Sequence, residues 1–371
     1  MIRIVYIIPS FESGGPNNVV LNIIRHLDKS IFTPMVVALH CTRKGGVGAK
    51  TLFEDLGSET EQFQFEAKDI LKNKKKIAAL IAHKYHQGNT VFHAHCMLPA
   101  IVASAMKNVT TMTTIHSISG EDFVMKYGKI KGTMLSLIYK NTLSKVSHCV
   151  AISEYMANYY RNCTKNLSII YNGVQNKNTD ISEKEREGIL NELGISLDSK
   201  IFLYPAVFLP GKNHRYIIEA MRAVKRSDVY MLFAGSGLTE EGCKALAKND
   251  DRIKFLGYQK NLDRYWSIAD YLISPSMSEG MPMAVLEAVI AGKSCLLSDI
   301  KPHREILSKI GLDSSHILNI KDAHSFLHQL DNLLEKPLMP EKIKEKAMEY
   351  FSSEVMSQSY QQLYVQLSKG I

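Results

Sequence analysis

Apolar runs of buried-strand length recur along the chain, each followed by a polar or glycine-bearing turn and then by apolar residues at helical spacing. In the first half they fall at 2–8, 34–39, 91–95, 111–115, 148–152 and 167–171, and in the second at 201–208, 230–234, 252–256, 271–273 and 294–297. Near-continuous apolar strands alternating with helices predict parallel sheets covered on both faces, the doubly wound α/β architecture. Between the two sets, residues 174–200 turn polar apart from a helical patch at 189–193, which predicts a domain junction there. The expected organisation is a Rossmann-like domain over 1–175, a second over 176–350 and a terminal helix over 351–371, within a helical stretch that begins at Pro340.

The most informative stretch runs from Asp270 to Gly292. A short apolar strand is broken by Ser274, Pro275, Ser276 and Ser278, and Glu279-Gly280 closes the loop. Pro282 fits a first helical position and Gly292 a helix stop. Glu287 is the one polar residue between Met283 and Ala291, and a carboxylate in such surroundings needs hydrogen-bond partners. Between Glu279 and Glu287 lies a helix start, whose free N–H groups and dipole favour an anion. Two hydroxyl-seeking carboxylates flanking a phosphate-seeking helix end suit a nucleotide diphosphate-sugar. The same spacing also fits a plain buried strand–helix unit with a solvent-linked Glu.

Other local signals are weaker. The first strand runs into Gly14-Gly15-Pro16, with Asn17 or Asn18 as the expected helix cap, but it lacks the GxGxxG dinucleotide fingerprint. KGGVGAKT at 44–51 resembles a phosphate-binding P-loop, yet Ala49 stands where a Gly must precede the Lys, so it reads as an ordinary loop. His93 and His95 share one strand face, and with His116 and Cys96 they invite a metal reading. No carboxylate or second Cys completes a recognisable ligand set, and no metal site is expected. His116 closes a strand, where α/β domains place ligand-facing groups.

Composition narrows the setting. At 371 residues, with 45% hydrophobic and 22% charged, the chain reads as a two-domain globular protein. The six cysteines are scattered without a CxxC pair, the usage of a reducing, cytoplasmic compartment. MIRIVYII is too short for a signal-peptide core and no run is long enough to span a membrane. The net charge of +8 points to an anionic partner. Nucleic acid is not expected, because no zinc-finger spacing, RNP-like motif or helix-turn-helix signal is present. At 125–146, lysines 126, 129, 131, 140 and 145 interleave with Met125, Tyr127, Ile130, Met134, Leu135, Leu137, Ile138, Tyr139 and Leu143. That mixture fits an amphipathic stretch on an anionic membrane surface, or a half-buried helix with a solvated lysine edge.

Taken in order, ESGGPNNVVLNI, FHAHCMLPA, TIHS, AISEYM, IYNGV, PGKNH, FAGSG, FLGY and the Glu279-x7-Glu287 segment resemble the family 4 group of retaining GT-B glycosyltransferases over nearly the whole chain. The resemblance implies two Rossmann-like domains facing a central cleft, with the terminal helix crossing back to the first domain. It implies that Glu279 holds donor-sugar hydroxyls and Glu287 the ribose. Lys212 and the backbone of Gly280, Met281, Pro282 and Met283 would meet the leaving diphosphate, with Gly14 and Gly15 near the donor phosphates. His116 would lie near the reacting sugar, and Gly257 and Tyr258 beside the base. A nucleotide-sugar, UDP-linked on family frequency, is then a substrate, and no cofactor is implied. The acceptor would be a glycan, lipid-linked at the inner membrane face, as in bacterial surface polysaccharide synthesis.

No Asp-x-Asp diphosphate–metal clamp occurs in the chain. One departure stands out: Val207 occupies the place of an Arg usual in the family, with Arg215 and Lys293 as conceivable substitutes. A nucleotide-sugar epimerase or hydrolase would share the layout, and the lost cation favours a non-catalytic homologue as the remaining rival.

Overall fold

The computed structural model describes residues 1–12, 14–40, 48–176, 179–322, 324–335 and 340–369. Ser13, Cys41 and positions 44–47 of the glycine-rich run lie outside the described residues, as does the side chain of Lys126. The chain divides into two compact units, Met1–Gly173 with Ser353–Ile371, and Val174–Ser352.

The first unit holds strands β1 (Ile2–Ile8), β2 (Phe32–Ala38), β3 (Glu59–Gln62), β4 (Thr90–His95), β5 (Thr110–Ile115), β6 (His148–Ala151) and β7 (Leu167–Ile169). They form a seven-stranded sheet in the order β3-β2-β1-β4-β5-β6-β7, with every pairing parallel. The strand order reverses direction between β1 and β4, which opens a crevice at their carboxyl ends. Strand β3, with the sequence ETEQ, was not legible as a strand: an edge strand with no fully buried side chain carries no apolar run. The helix Gly15–Arg25 starts at its glycine, with Gly14 as N-cap, not at an asparagine cap. Asn17 sits inside the first turn, and its amide donates instead to the carbonyls of Ser10 (2.8 Å) and Glu12 (2.6 Å), bracing the loop after β1.

The second unit holds β8 (Lys200–Pro205), β9 (Val229–Ala234), β10 (Ile253–Gly257), β11 (Tyr271–Ser274), β12 (Ser294–Ser298) and β13 (Ile317–Leu318). Their order is β10-β9-β8-β11-β12-β13, again parallel throughout. Here the reversal falls between β8 and β11. The core under this sheet is apolar and aromatic, with Phe202, Phe208, Phe233, Ile217 and Phe326 fully buried. The polar junction contains a longer helix than the expected patch. Glu183–Leu193 is opened by a reciprocal cap between Ser182 and Glu185 and closed by Gly194 in the left-handed region at φ 66°.

The terminal stretch is two helices, Pro340–Phe351 and Ser353–Lys369. The second belongs to the first unit: Tyr360 and Tyr364 are fully buried against its sheet, and Ser357 donates to the Ile23 carbonyl at 2.8 Å. The 125–146 stretch likewise splits, into Ser119–Tyr127 and Lys129–Leu143, because Gly128 turns the backbone at φ 80°.

Candidate functional site

In the second unit, loops at the carboxyl ends of β8 and β11 flank the strand-order reversal. The loop after β8 passes through Val207 and Leu209, and a single turn at Pro210–Lys212 leads into the helix His214–Met221. The loop after β11 carries Glu279 and enters the helix Met283–Ile290. These loops are tied together: Met277 N–H donates to the Gly211 carbonyl at 2.8 Å, and the Tyr204 hydroxyl donates to the Lys212 carbonyl at 2.8 Å while lying 3.0 Å from Ser276 Oγ. Lys212 Nζ meets Glu279 Oε1 at 2.5 Å.

Pro282 is the N-cap of the second helix, one place earlier than the first helical position expected for it. With no N–H of its own, it accepts from Val285 (3.0 Å) and Leu286 (3.2 Å). The amides of Met283 and Ala284 begin the helix and have no preceding turn to bond within it. Met283, Ala284 and Glu287 are only partly buried, whereas Val285, Leu286, Ala288, Val289 and Ile290 are buried. Met283 and Glu287, one turn apart, therefore share the open face. Gly292 follows the helix at φ 72°, as its stop.

Two further strand ends complete this edge. A Cβ on Gly235 would meet the Ala206 carbonyl oxygen at 2.0 Å, so the loop after β9 can lie against the loop after β8 only with glycine there. Gly235 N–H donates to Gly257 O at 2.8 Å, and Gly257 turns at φ 67° so that Tyr258 emerges half-exposed.

His303, unremarked in the sequence, lies fully buried behind this edge. Its Nδ1 sits 3.0 Å from the Ser298 carbonyl and 3.1 Å from Ser298 Oγ, and Ser298 Oγ donates in turn to the Ser276 carbonyl at 2.5 Å. Burial pushes its pKa down to about 4, against the opposing pull of the Glu279 carboxylate. It braces the loop that carries Glu279. The only sequence signal was a histidine shortly after a strand end.

Val207 is exposed on the loop after β8, so no cation stands at that point. Lys293 cannot replace one. It immediately precedes β12, at the opposite end of a parallel sheet, where it is half-buried in the field of Asp270. Arg215 lies near Lys212 in sequence but pairs with Glu219 at 2.7 Å.

Gly14, Gly15 and His116 lie in the first unit, at the carboxyl ends of β1 and β5. Gly14 is extended, at φ 170°, and among the described residues no atom beyond the chain neighbours lies within 4 Å of a Cβ built on Gly14 or Gly15. His116 Nε2 is 2.9 Å from His95 Nδ1. His116 keeps some exposure, yet the protein around its ring pushes its pKa down to about 4. Below it, His93 Nδ1 reaches the Tyr364 hydroxyl at 2.7 Å and His93 Nε2 reaches Thr114 Oγ1 at 2.8 Å. Thr114 Oγ1 lies 2.8 Å from the Tyr360 hydroxyl. Of the three histidines that invite a metal reading, His95 and His116 are thus bonded to each other and His93 to two hydroxyls, its ring 4.2 Å from that of His95.

Two family models account for the chain between them: Glycosyltransferase Family 4 over residues 13–177 and Glycosyl transferases group 1 over 185–350. The chain is a GT-B glycosyltransferase of the family 4 type. This glycosyltransferase is 22% identical over 376 residues to the O-antigen biosynthesis glycosyltransferase WclY of Escherichia coli, covering 100% of this chain and 99% of that one. It is 24% identical over 280 residues to the UDP-Gal:alpha-D-GlcNAc-diphosphoundecaprenol alpha-1,3-galactosyltransferase of Escherichia coli, covering 70% of each. Among solved structures it shares the fold of the Anabaena protein HepE in complex with UDP-glucose, with a TM-score of 0.81 and 15% identity over 99% of this chain and 100% of that one. It is thus a transferase enzyme, which sets aside the non-catalytic reading that Val207 had favoured.

The exposed face of the glycosyltransferase helix Lys129–Leu143 is unusual. Its buried positions are Gly132, Ser136, Tyr139, Thr142 and Leu143, whereas Ile130 is 89% exposed, Leu137 63% and Met134 55%. Lys129 and Lys131 flank this apolar face, and Lys131 lies 5.6 Å from the Tyr127 ring centre. Lys140 instead lies over Tyr159, 4.5 Å from the ring centre, and is engaged with the protein's own surface. Among the described residues no helix is long and apolar enough to cross a membrane.

Proposed function

We propose that this glycosyltransferase moves a sugar from a UDP-sugar to a lipid-linked glycan, with retention of configuration and without a metal ion, in bacterial surface polysaccharide synthesis. The carrying observation is Lys212 against Glu279 beside the start of the helix that bears Glu287. In this reading Lys212 and the amides of Met283 and Ala284 receive the diphosphate, Glu287 takes the ribose, Glu279 the sugar hydroxyls, and Tyr258 lies beside the base. Gly14 and Gly15 let backbone approach the phosphates.

Attack on the anomeric carbon comes from the face the diphosphate leaves. As the bond from that carbon to the phosphate oxygen breaks, a bond to the acceptor oxygen forms, and the acceptor's proton passes to the departing phosphate oxygen. The growing negative charge meets a cation and helix-end dipoles already in place, the preorganised stabilisation that lowers such barriers most. No step calls for a divalent ion.

The UDP-glucose complex of HepE and the diphosphoundecaprenol acceptor named for the galactosyltransferase support the choice of donor and acceptor. The apolar, lysine-flanked face of Lys129–Leu143 supports work at the anionic inner face of the cytoplasmic membrane. The test is transfer from a panel of radiolabelled UDP- and GDP-sugars to polyprenyl-diphosphate-linked sugars, with and without EDTA, and NMR assignment of the product anomer. Retained anomeric configuration at full rate in EDTA is expected. An inverted product, a trapped covalent glycosyl-enzyme or loss of activity in EDTA would overturn the mechanism.

A further inference from the structure

His95 is the last residue of β4 and is fully buried, whereas His116 follows β5 and is the outermost of three linked histidines. The rings of His95 and His116 lie 5.2 Å apart, nearly parallel, and their one hydrogen bond joins His95 Nδ1 to His116 Nε2 at 2.9 Å. On its other side the His95 ring packs against His93 at 4.2 Å and Tyr6 at 6.2 Å. Both nitrogens of His93 are engaged by Tyr364 and Thr114. Among the described residues, no group bonds His95 Nε2.

Both rings are held neutral by burial, so each carries one N–H. A buried N–H without an acceptor is costlier than a buried lone pair without a donor. The His95 proton therefore belongs on Nδ1, where it has an acceptor, and not on Nε2. His95 donates, His116 Nε2 accepts, and the single proton of His116 is left on Nδ1.

We propose that His95 is a positioning residue that locks His116 in the Nδ1–H form, so that His116 meets the donor sugar as a hydrogen-bond donor. The proposal rests on the reading that places His116 beside the reacting sugar. In that place His116 Nδ1–H donates to a sugar oxygen, and with its proton already present it cannot take the acceptor's proton. That agrees with the phosphate oxygen as the proton's destination. His93, Tyr364, Thr114 and Tyr360 form the support that keeps the His95 ring from turning over.

The test is long-range ¹H–¹⁵N NMR of the full chain labelled at histidine, with the His116 signals identified by their loss in His116→Gln. A pyrrole-type Nδ1 and a pyridine-type Nε2 are expected for His116; the reverse assignment in the wild-type protein overturns the proposal. His95→Asn keeps a donor at the Nδ1 position and should hold both the His116 signature and kcat. His95→Gln, whose amide reaches the Nε2 position, should lose the signature and lower kcat about tenfold, one hydrogen bond's worth. Unchanged kcat and an unchanged signature in His95→Gln also overturn it. Because the wild-type spectrum needs no substrate, the tautomer is decided even if no UDP-sugar proves to be the donor, an outcome that would sink the donor reading alone.

Discussion

Lys212 and Glu279, 67 positions apart, meet at 2.5 Å because the strand order of the second sheet reverses between β8 and β11 and brings their two loops side by side. The pair lies at the carboxyl ends of those strands, where open α/β sheets bind ligands. If Lys212 serves the diphosphate and Glu279 the sugar, their substitutions separate by ligand. Lys212→Ala is expected to lower kcat/KM by about 10²–10³-fold and to weaken binding of free UDP. Glu279→Ala should lower kcat/KM comparably while free UDP binds as before. Isothermal titration with UDP beside transfer kinetics distinguishes them, and equal loss of UDP affinity in both would refute the division.

Acid should weaken the fold over a defined window. Burial pushes His116, His214 and His303 down to about 4 and holds His93 and His95 well below the ordinary histidine value. Between pH 6.5 and about 4 the unfolded chain binds protons that the folded chain refuses, so stability falls as pH drops through that range. A fully buried ring so shifted can cost up to about 3 kcal/mol at the acid end. Melting temperature measured from pH 7 to 4 should fall, and His303→Asn should flatten part of the slope. An unchanged slope in that variant would show that His303 does not contribute.

Tyr364 is the chief polar attachment of the terminal helix Ser353–Lys369 to its sheet, with its hydroxyl 2.7 Å from His93 Nδ1 and 3.2 Å from the Tyr6 hydroxyl. Tyr364→Phe keeps the ring and removes both bonds, leaving buried partners unmatched. The expected loss is about 1–3 kcal/mol. Hydrogen exchange should show faster opening of that helix than in the wild type; equal protection would mean apolar packing alone holds it.

The outward face of Lys129–Leu143 predicts its own partner. Ile130→Asp together with Leu137→Asp should abolish sedimentation with vesicles of phosphatidylglycerol and phosphatidylethanolamine, while transfer to a water-soluble acceptor analogue continues. Wild-type protein that ignores such vesicles but forms dimers broken by the same substitutions would assign the face to a second copy.

Much of this was legible along the chain because parallel strands buried on both faces announce themselves as apolar runs. Two strands escaped, the polar edge strand β3 and the two-residue β13, since neither carries such a run. The helix at Glu183–Leu193 was underestimated because its apolar content is small and its support comes from a cap. The ordered motifs likewise carry the family resemblance, through which Lys212, Glu279 and Glu287 enter as candidates.

What the order of residues could not supply was adjacency across the sheet. Spacing allowed Lys293 as a replacement cation, and only the parallel strand direction shows it at the wrong end. In sequence, His93, His95 and His116 with Cys96 invite a metal reading that no carboxylate or second Cys completes. In the fold His95 and His116 bond each other, whereas His93 bonds Thr114 and, on a helix 271 residues later, Tyr364. Periodicity and turn chemistry are local and are written in neighbouring residues. Which buried nitrogen finds an acceptor depends on strands that pair over long separations, and packing alone settles that.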